Sequence, residues 1–245
     1  MKRGVIIMAM LGARVASAGP PFVTDDPEPV EHEHWEIYLA TQDQHDSGGW
    51  TGAAPQLEVN YGAIENLQLH LIAPLAYTRP TSGAHAYGVG DVELGAKYRF
   101  VDEDEASWRP QIGVFPLVEL PTGSRERGLG DGHLQVFVPA WLQKSFGPWT
   151  TYGGGGFWVH PGAGHRNWVF VGLEVQRKLS SKLALGVEVF HGTSPADGVD
   201  PETRFNVGAM LDATDHHHIL ASAGSGLGGG FQGYLAYQLT FGPEP

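Results

Sequence analysis

Cysteine is absent from the 245-residue chain. Disulfide staples, thiolate metal ligands and cysteine nucleophiles are thereby excluded, although that count leaves the compartment open. Basic side chains are scarce: 15 Lys and Arg stand against 27 Asp and Glu. That balance argues against a nucleic-acid partner, whose phosphates need Lys and Arg to neutralise them. There is no G-x-S-x-G, and Ser225 sits in a glycine loop with no acid beside it. His191 and Ser194 are close only along the chain, so no catalytic residue is assigned. The glycine-rich stretches lead into no helical pattern, and no cofactor is expected.

A helix that could cross a bilayer is lacking too. Residues 219–243 carry no charge over a length sufficient for one. They nevertheless contain the run Gly228-Gly229-Gly230 and little Leu, Ile or Val, so they read as two strands and a loop. At the N-terminus, Lys2 and Arg3 precede an apolar stretch over 4–13 and the A-x-A site Ala16-Ser17-Ala18. This is the pattern of a signal peptide, cleaved after Ala18. Ten apolar residues are too few to anchor the chain as a helix. Loss of Lys2, Arg3 and Arg14 would leave the mature chain still more acidic than the net −12 of the whole.

What the chain has is alternation. In the last segment Phe231, Gly233, Leu235, Tyr237, Leu239 and Phe241 share one face, and Gln232, Tyr234, Ala236, Gln238 and Thr240 the other. A period of two means extended strand, because successive Cβ atoms point to opposite sides. The pattern predicts twelve strands: 35–44, 55–62, 67–77, 90–100, 109–120, 133–145, 149–160, 168–179, 183–191, 204–213, 218–224 and 231–241. Glycine, at 35 residues, is about twice as common as usual. An aromatic content of 11% argues against disorder. Glycines inside strands, as at 153–156, would let a wall bend or a neighbouring chain approach closely.

The connections sort by parity. After even strands they are tight or strongly polar (63–66, 101–107, 146–148, 180–182, 214–216). After odd strands most are longer: 45–54, 79–89, 121–132, 161–167, 192–203 and 225–230. Short turns at one end and long loops at the other are the outer-membrane pattern. Leu69, Leu71, Leu94, Val171, Leu173, Leu185 and Val187 take the outward parity, which would face lipid. Trp35, Tyr77, Tyr98, Phe100, Trp149, Trp168 and Phe241 fall at strand ends, where membrane barrels carry aromatic girdles. The expected fold is therefore all-β, a transmembrane antiparallel β-barrel of about twelve strands with short periplasmic turns and longer outer loops. The divisions are 1–18 signal peptide, 19–33 Pro-rich segment, 34–241 barrel and 242–245 C-terminal tail.

Several runs carry a likeness to a known family. They include Pro21-Phe22-Val23-Thr24-Asp25-Asp26-Pro27, His34-Trp35-Glu36, Asn60-Tyr61-Gly62 and Leu69-His70-Leu71-Ile72-Ala73-Pro74-Leu75. Others are Gly90-Asp91-Val92-Glu93-Leu94-Gly95-Ala96-Lys97-Tyr98-Arg99-Phe100, Phe115-Pro116-Leu117-Val118-Glu119, and Gly147-Pro148-Trp149 through Gly156. Over nearly the whole mature chain the protein resembles the outer-membrane, transporter-like family labelled "MetA pathway of phenol degradation". The resemblance implies a Gram-negative outer-membrane barrel with a role in uptake of small, often aromatic or hydrophobic compounds. It implies no catalytic residue and no particular solute. Tyr237, Leu239 and Phe241 are similar to the terminal signal read by the outer-membrane assembly machinery. Ala236 and the extension 242–245 depart from that signal.

The candidate lumen-facing residues are Glu58, His70, Glu93, Lys97, Arg99, Glu119, Glu174, Glu188 and Arg204. They can form a charged pore lining that selects by field, or a barrel filled by mutually paired charges. Twelve strands lie between filled eight-stranded and open sixteen-stranded barrels, and some open passage is the favoured reading. The run His216-His217-His218 points three ways from a turn, so no metal site is expected there. The prolines of 19–33 exclude a helix or central strand. That segment is either a plug in the barrel mouth or, the preferred reading, a periplasmic tail. The expected partners are the lipid bilayer, the assembly machinery and an unknown small solute. The function expected is passive passage of small molecules; the alternative is a non-conducting structural or adhesive barrel.

Overall fold

The computed structural model describes residues 20–104 and 106–243. The signal peptide expected over 1–18 lies outside them, as do Glu105 and the last two residues of the tail. The regular structure is almost entirely strand: β1 Trp35–Asp46, β2 Gly49–Ile64, β3 Leu67–Pro80, β4 Ala86–Val89, β5 Val92–Val101, β6 Gln111–Val114, β7 Leu117–Leu120 and β8 Gln135–Phe146, followed by β9 Trp149–Val159, β10 Trp168–Lys178, β11 Leu183–Gly192, β12 Glu202–Asp212, β13 His217–Gly226 and β14 Gly229–Phe241. One 3-10 turn, Arg125–Arg127, lies in the loop after β7.

Every pairing between strands is antiparallel, and β1 pairs with β14 from Trp35↔Phe241 to His45↔Phe231. The sheet therefore closes. β4 and β5 run end to end along β3, and β6 and β7 run end to end between β5 and β8. Each pair makes one stave, and the wall is a closed barrel of twelve. The break inside the second of these falls at Phe115-Pro116, because Pro116 has no N–H to give the ladder. Closure satisfies the backbone without leaving an edge, as a lipid environment requires.

The exterior follows the alternation. Leu39, Leu69, Val171, Leu173, Val187, Val207 and Leu235 all stand exposed, and their neighbours one residue along are inward. Trp35, Tyr98, Phe100, Trp149 and Phe241 are exposed at stave ends, as expected of a girdle. Trp168 is a correction: it faces the interior and stacks at 5.5 Å on Trp158.

Two loops are also corrected. The chain over 45–54 belongs mostly to β1 and β2, which meet at the turn Ser47-Gly48. Pro55 does not end the strand, because it sits within a bulge where the register shifts between Ala53 and Gln56. Residues 225–230 likewise form a tight hairpin turning at Leu227-Gly228. The connections 121–134, 160–167 and 193–201 follow the parity rule, whereas 102–110, between β5 and β6 at the opposite end, is as long as these and departs from it.

The Pro-rich segment is not a tail. Residues 20–33 fold into the lumen, where Thr24 and Asp26 are wholly buried and Phe22 and Val30 nearly so. Glycines make the seat. Gly186 and Gly208 lie directly opposite on β11 and β12, and a Cβ on either would come within 2.7 Å of the Phe22 ring. Gly172 on β10 similarly leaves room for Thr24, and Gly113 on β6 for Pro27. The segment returns to the wall at Gly62, whose N–H donates to the His34 carbonyl at 3.0 Å.

Candidate functional site: the barrel lumen

Alternation places the polar parity of every stave inside the barrel, and the plug organises what it meets there. The Lys97 ammonium lies 2.8 Å from Asp25 Oδ1 and 3.6 Å from Asp26 Oδ1. The Val30 N–H donates to Gln68 Oε1 at 2.9 Å, and Gln143 Nε2 donates to Glu28 Oε2 at 3.0 Å. Ser222 Oγ donates to the Pro21 carbonyl at 2.6 Å. The Thr24 N–H donates to Glu188 Oε1, while Asn206 Nδ2 donates to Glu188 Oε2 at 2.6 Å. Burial pushes the Asp26 carboxyl well above the usual carboxylate range, against the pull of Lys97. Burial raises Glu28 too, with the Gln143 hydrogen bond opposing it.

The expected lumen residues fall into separate groups. Glu58, His70 and Glu93 form one network: Asn60 Nδ2 donates to Glu58 Oε1, His70 Nδ1 meets Asn60 Oδ1 at 2.6 Å, and His70 Nε2 meets Glu93 Oε1 at 2.9 Å. Glu119 stands directly opposite Glu93 and accepts from Gln135 Nε2 at 2.8 Å. Glu174 and Glu188 are cross-strand partners beside the plug. Lys97 is held by the plug and therefore is not a free cation in the passage. Arg99 lies at the turn end, paired with Asp102 at 3.0 Å and Asn66 at 2.6 Å. Arg204 lies toward the loop end, between Glu202 at 2.8 Å and Gln232 at 3.0 Å.

The inward parity also carries an aromatic wall that the charge pattern did not bring out. Phe137 stacks on Trp158 at 4.7 Å, Trp158 on Trp168 at 5.5 Å, and Phe170 on Phe190 at 5.6 Å. Phe115 and Trp141 complete it. The rings have room because β9 is glycine there: a Cβ on Gly156 would meet Phe137 at 2.7 Å, and one on Gly154 would meet Trp141 at 3.0 Å. The signal was present as inward glycines flanked by inward aromatics on the neighbouring staves.

Adjoining cavities occupy the space left, two of them beside the plug. One, of about 550 Å³, lies over the plug residues Pro20–Val23 between Trp168, Phe170 and Phe190 on one side and Gln42, Gln56 and Gln232 on the other. The second, of about 380 Å³, shares Glu58, Ile72, Trp168 and Phe170 with the first. It runs past His70, Glu93 and Lys97 to Glu28 and Glu36 near the turn end. The lumen is thus narrowed by the plug without being filled.

Of the run His216-His217-His218, the first two side chains are exposed and His218 turns inward to Asp212 at 2.8 Å. They do not converge.

No family model matches the chain, and no curated protein does. Solved structures do. The COG4313 outer membrane channel from Pseudomonas putida F1 superposes with a TM-score of 0.68 at 19% identity, over 88% of this chain and 98% of that one. The KdgM porin, solved with disordered oligogalacturonate, gives 0.58 at 10% identity, over 84% of this chain and 99% of that one. The NanC porin gives 0.57 at 8% identity, over 85% and 100%. The fold is that of the Gram-negative outer-membrane β-barrels, whose place is the outer membrane. The phenol-degradation label gains nothing from these structures.

Proposed function

We propose that the protein is an outer-membrane channel for passive passage of small molecules, with a preference for solutes that carry an aromatic or hydrophobic face. The observation behind this is the stacked aromatic wall bordering both cavities, opposite glutamine and carboxylate side chains. A flat apolar solute can lie against Trp168 and Phe170 while its polar groups meet Gln42, Gln56 or Glu58. Ring contacts of this kind contribute about 0.5–1.5 kcal/mol each beyond area burial. With carboxylates at Glu58, Glu93 and Glu119, the lining favours neutral or cationic solutes over anions. The last strand, ending at Phe241, would be the segment read by the assembly machinery.

The test is solute flux into liposomes carrying the refolded barrel. Small aromatic solutes should enter faster than sugars of equal size, and Trp168→Ala with Phe190→Ala should remove most of that difference. Equal rates for both classes in the unaltered protein would sink the aromatic preference. A second reading, a non-conducting barrel with a filled lumen, draws on the plug and its ion pairs. Single-channel recording separates the two: reproducible conductance steps support a channel, and silence from correctly folded protein supports a filled barrel.

A further inference from the structure

At the loop end of the barrel, four potential metal ligands from two different loops meet. Asp131 and His133 come from the connection between β7 and β8, and His160 and His165 from that between β9 and β10. Asp131 Oδ2 lies 3.0 Å from His160 Nε2 and 3.2 Å from His165 Nδ1, and those two nitrogens are 2.7 Å apart. His133 Nδ1 is 4.0 Å from the same carboxylate oxygen. We propose that this cluster is a binding site for a divalent late first-row metal ion, of which zinc is the representative.

Three physical arguments carry it. First, His160 Nδ1 lies 3.0 Å from the Pro195 carbonyl, which can only accept. A ring proton is therefore on Nδ1, which leaves Nε2, facing Asp131 and His165, as the atom that would ligate. A backbone carbonyl fixing the far nitrogen of a ligand histidine is the usual support of such sites. Secondly, three potential ligand atoms face one another at 2.7–3.2 Å. A tetrahedral ion with bonds of about 2.0–2.1 Å separates its ligands by roughly 3.3 Å, so a shift of a few tenths of an ångström admits it. Thirdly, the surroundings are built for the approach. The Asp131 N–H is held by Asp91 Oδ2 at 2.6 Å, and Gly162, at φ +132°, passes where a Cβ would meet the His133 ring at 3.0 Å. Three imidazoles and one carboxylate suit zinc, nickel or copper rather than magnesium or calcium, which take oxygen ligands.

The cluster already holds a cation. Arg125 Nη1 is 3.4 Å from His133 Nδ1, and Arg125 Nη2 is 3.5 Å from His165 Nε2. A metal ligated through Nδ1 of His165 leaves the proton on Nε2, so Arg125 must withdraw as the metal enters. Arg125 is then an internal competitor. The ion would also bridge the two loops at the barrel mouth.

The experiment is a zinc chloride titration of the refolded full chain in detergent, followed by calorimetry, with calcium and magnesium as controls and heat-modifiable gel migration as the check on folding. One zinc per barrel is expected, with affinity falling at least tenfold in His165→Ala and Asp131→Asn. Arg125→Gln should bind more tightly than the parent, and His216→Ala with His217→Ala should bind as the parent does. Absence of zinc binding, or binding that survives unaltered in both His160→Ala and His165→Ala, overturns the proposal. Weaker binding in Arg125→Gln overturns the displacement.

Discussion

Lys97 and Asp25 are 72 residues apart in the chain and 2.8 Å apart in the structure. One belongs to the wall and the other to the plug, so this contact is where the two parts are joined by charge. Removing one member of a buried ion pair leaves the other without compensation, typically at about 3–5 kcal/mol. Lys97→Met should therefore shift the plug out of its seat while the wall stays closed. The chain has no cysteine, so Thr24→Cys is a clean reporter. Its maleimide labelling should be slow alone and at least tenfold faster in the Lys97→Met background.

Phe22 should be expelled by filling its seat. A Cβ on Gly208 would lie 2.7 Å from the ring, closer than van der Waals packing tolerates, and β-branching adds to the clash. Gly208→Val is expected to fold, to run as a heat-modifiable band, and to conduct more than the parent. Adding Phe22→Ala to Gly208→Val removes the ring that clashes. It should bring the conductance part of the way back if the rest of the segment reseats.

The outer surface is open to a different test. Val187 is 54% exposed, which in water would make it freely substitutable. Facing acyl chains near mid-strand it is not, and Arg there costs about 2–4 kcal/mol at the bilayer midplane. Val187→Arg should lower the yield of heat-modifiable barrel in vesicles, whereas the same change at exposed Glu65, in the turn between β2 and β3, should have little effect.

Acidity should tighten the plug. Burial raises both Asp26 and Glu28. A carboxyl whose seated pKa lies above its free value favours the seat in its protonated form. That contribution is present in full below the free carboxylate value and is lost as pH rises through the raised one. Single-channel conductance should accordingly grow as pH is raised from the acid side through that window, and Glu28→Gln should flatten part of the rise. A conductance that falls with rising pH over the same window would contradict this sign.

Much of the wall was legible because lipid and lumen impose opposite demands on alternate residues. Leu235, Tyr237 and Phe241 against Tyr234, Ala236 and Gln238 are enough to place β14, and the same logic placed Glu58, Glu93 and Glu188 on the inward parity. Parity says nothing about height or company, however. It could not tell that Lys97 is taken by the plug or that Glu119 stands opposite Glu93. Trp168 was misplaced because an aromatic at a stave end suits a girdle and a stacked wall equally. The seat of the plug was written in glycines at 172, 186 and 208, which become adjacent only once the register is known. The cluster at Asp131 was invisible for a related reason: its members come from two loops, while the conspicuous histidine run at 216–218 diverges.

The barrel's two components are fastened by different means. Each stave is laced to its neighbours along its length, and β1 to β14 completes the circuit. The segment inside is held largely by side chains and tethered at one end, through the Glu33 N–H to the Gly62 carbonyl. Amide exchange should therefore run on two clocks. The cylinder would keep its deuterium pattern for as long as it remains assembled, while the tethered strip could slip out and return many times without breaking a rung.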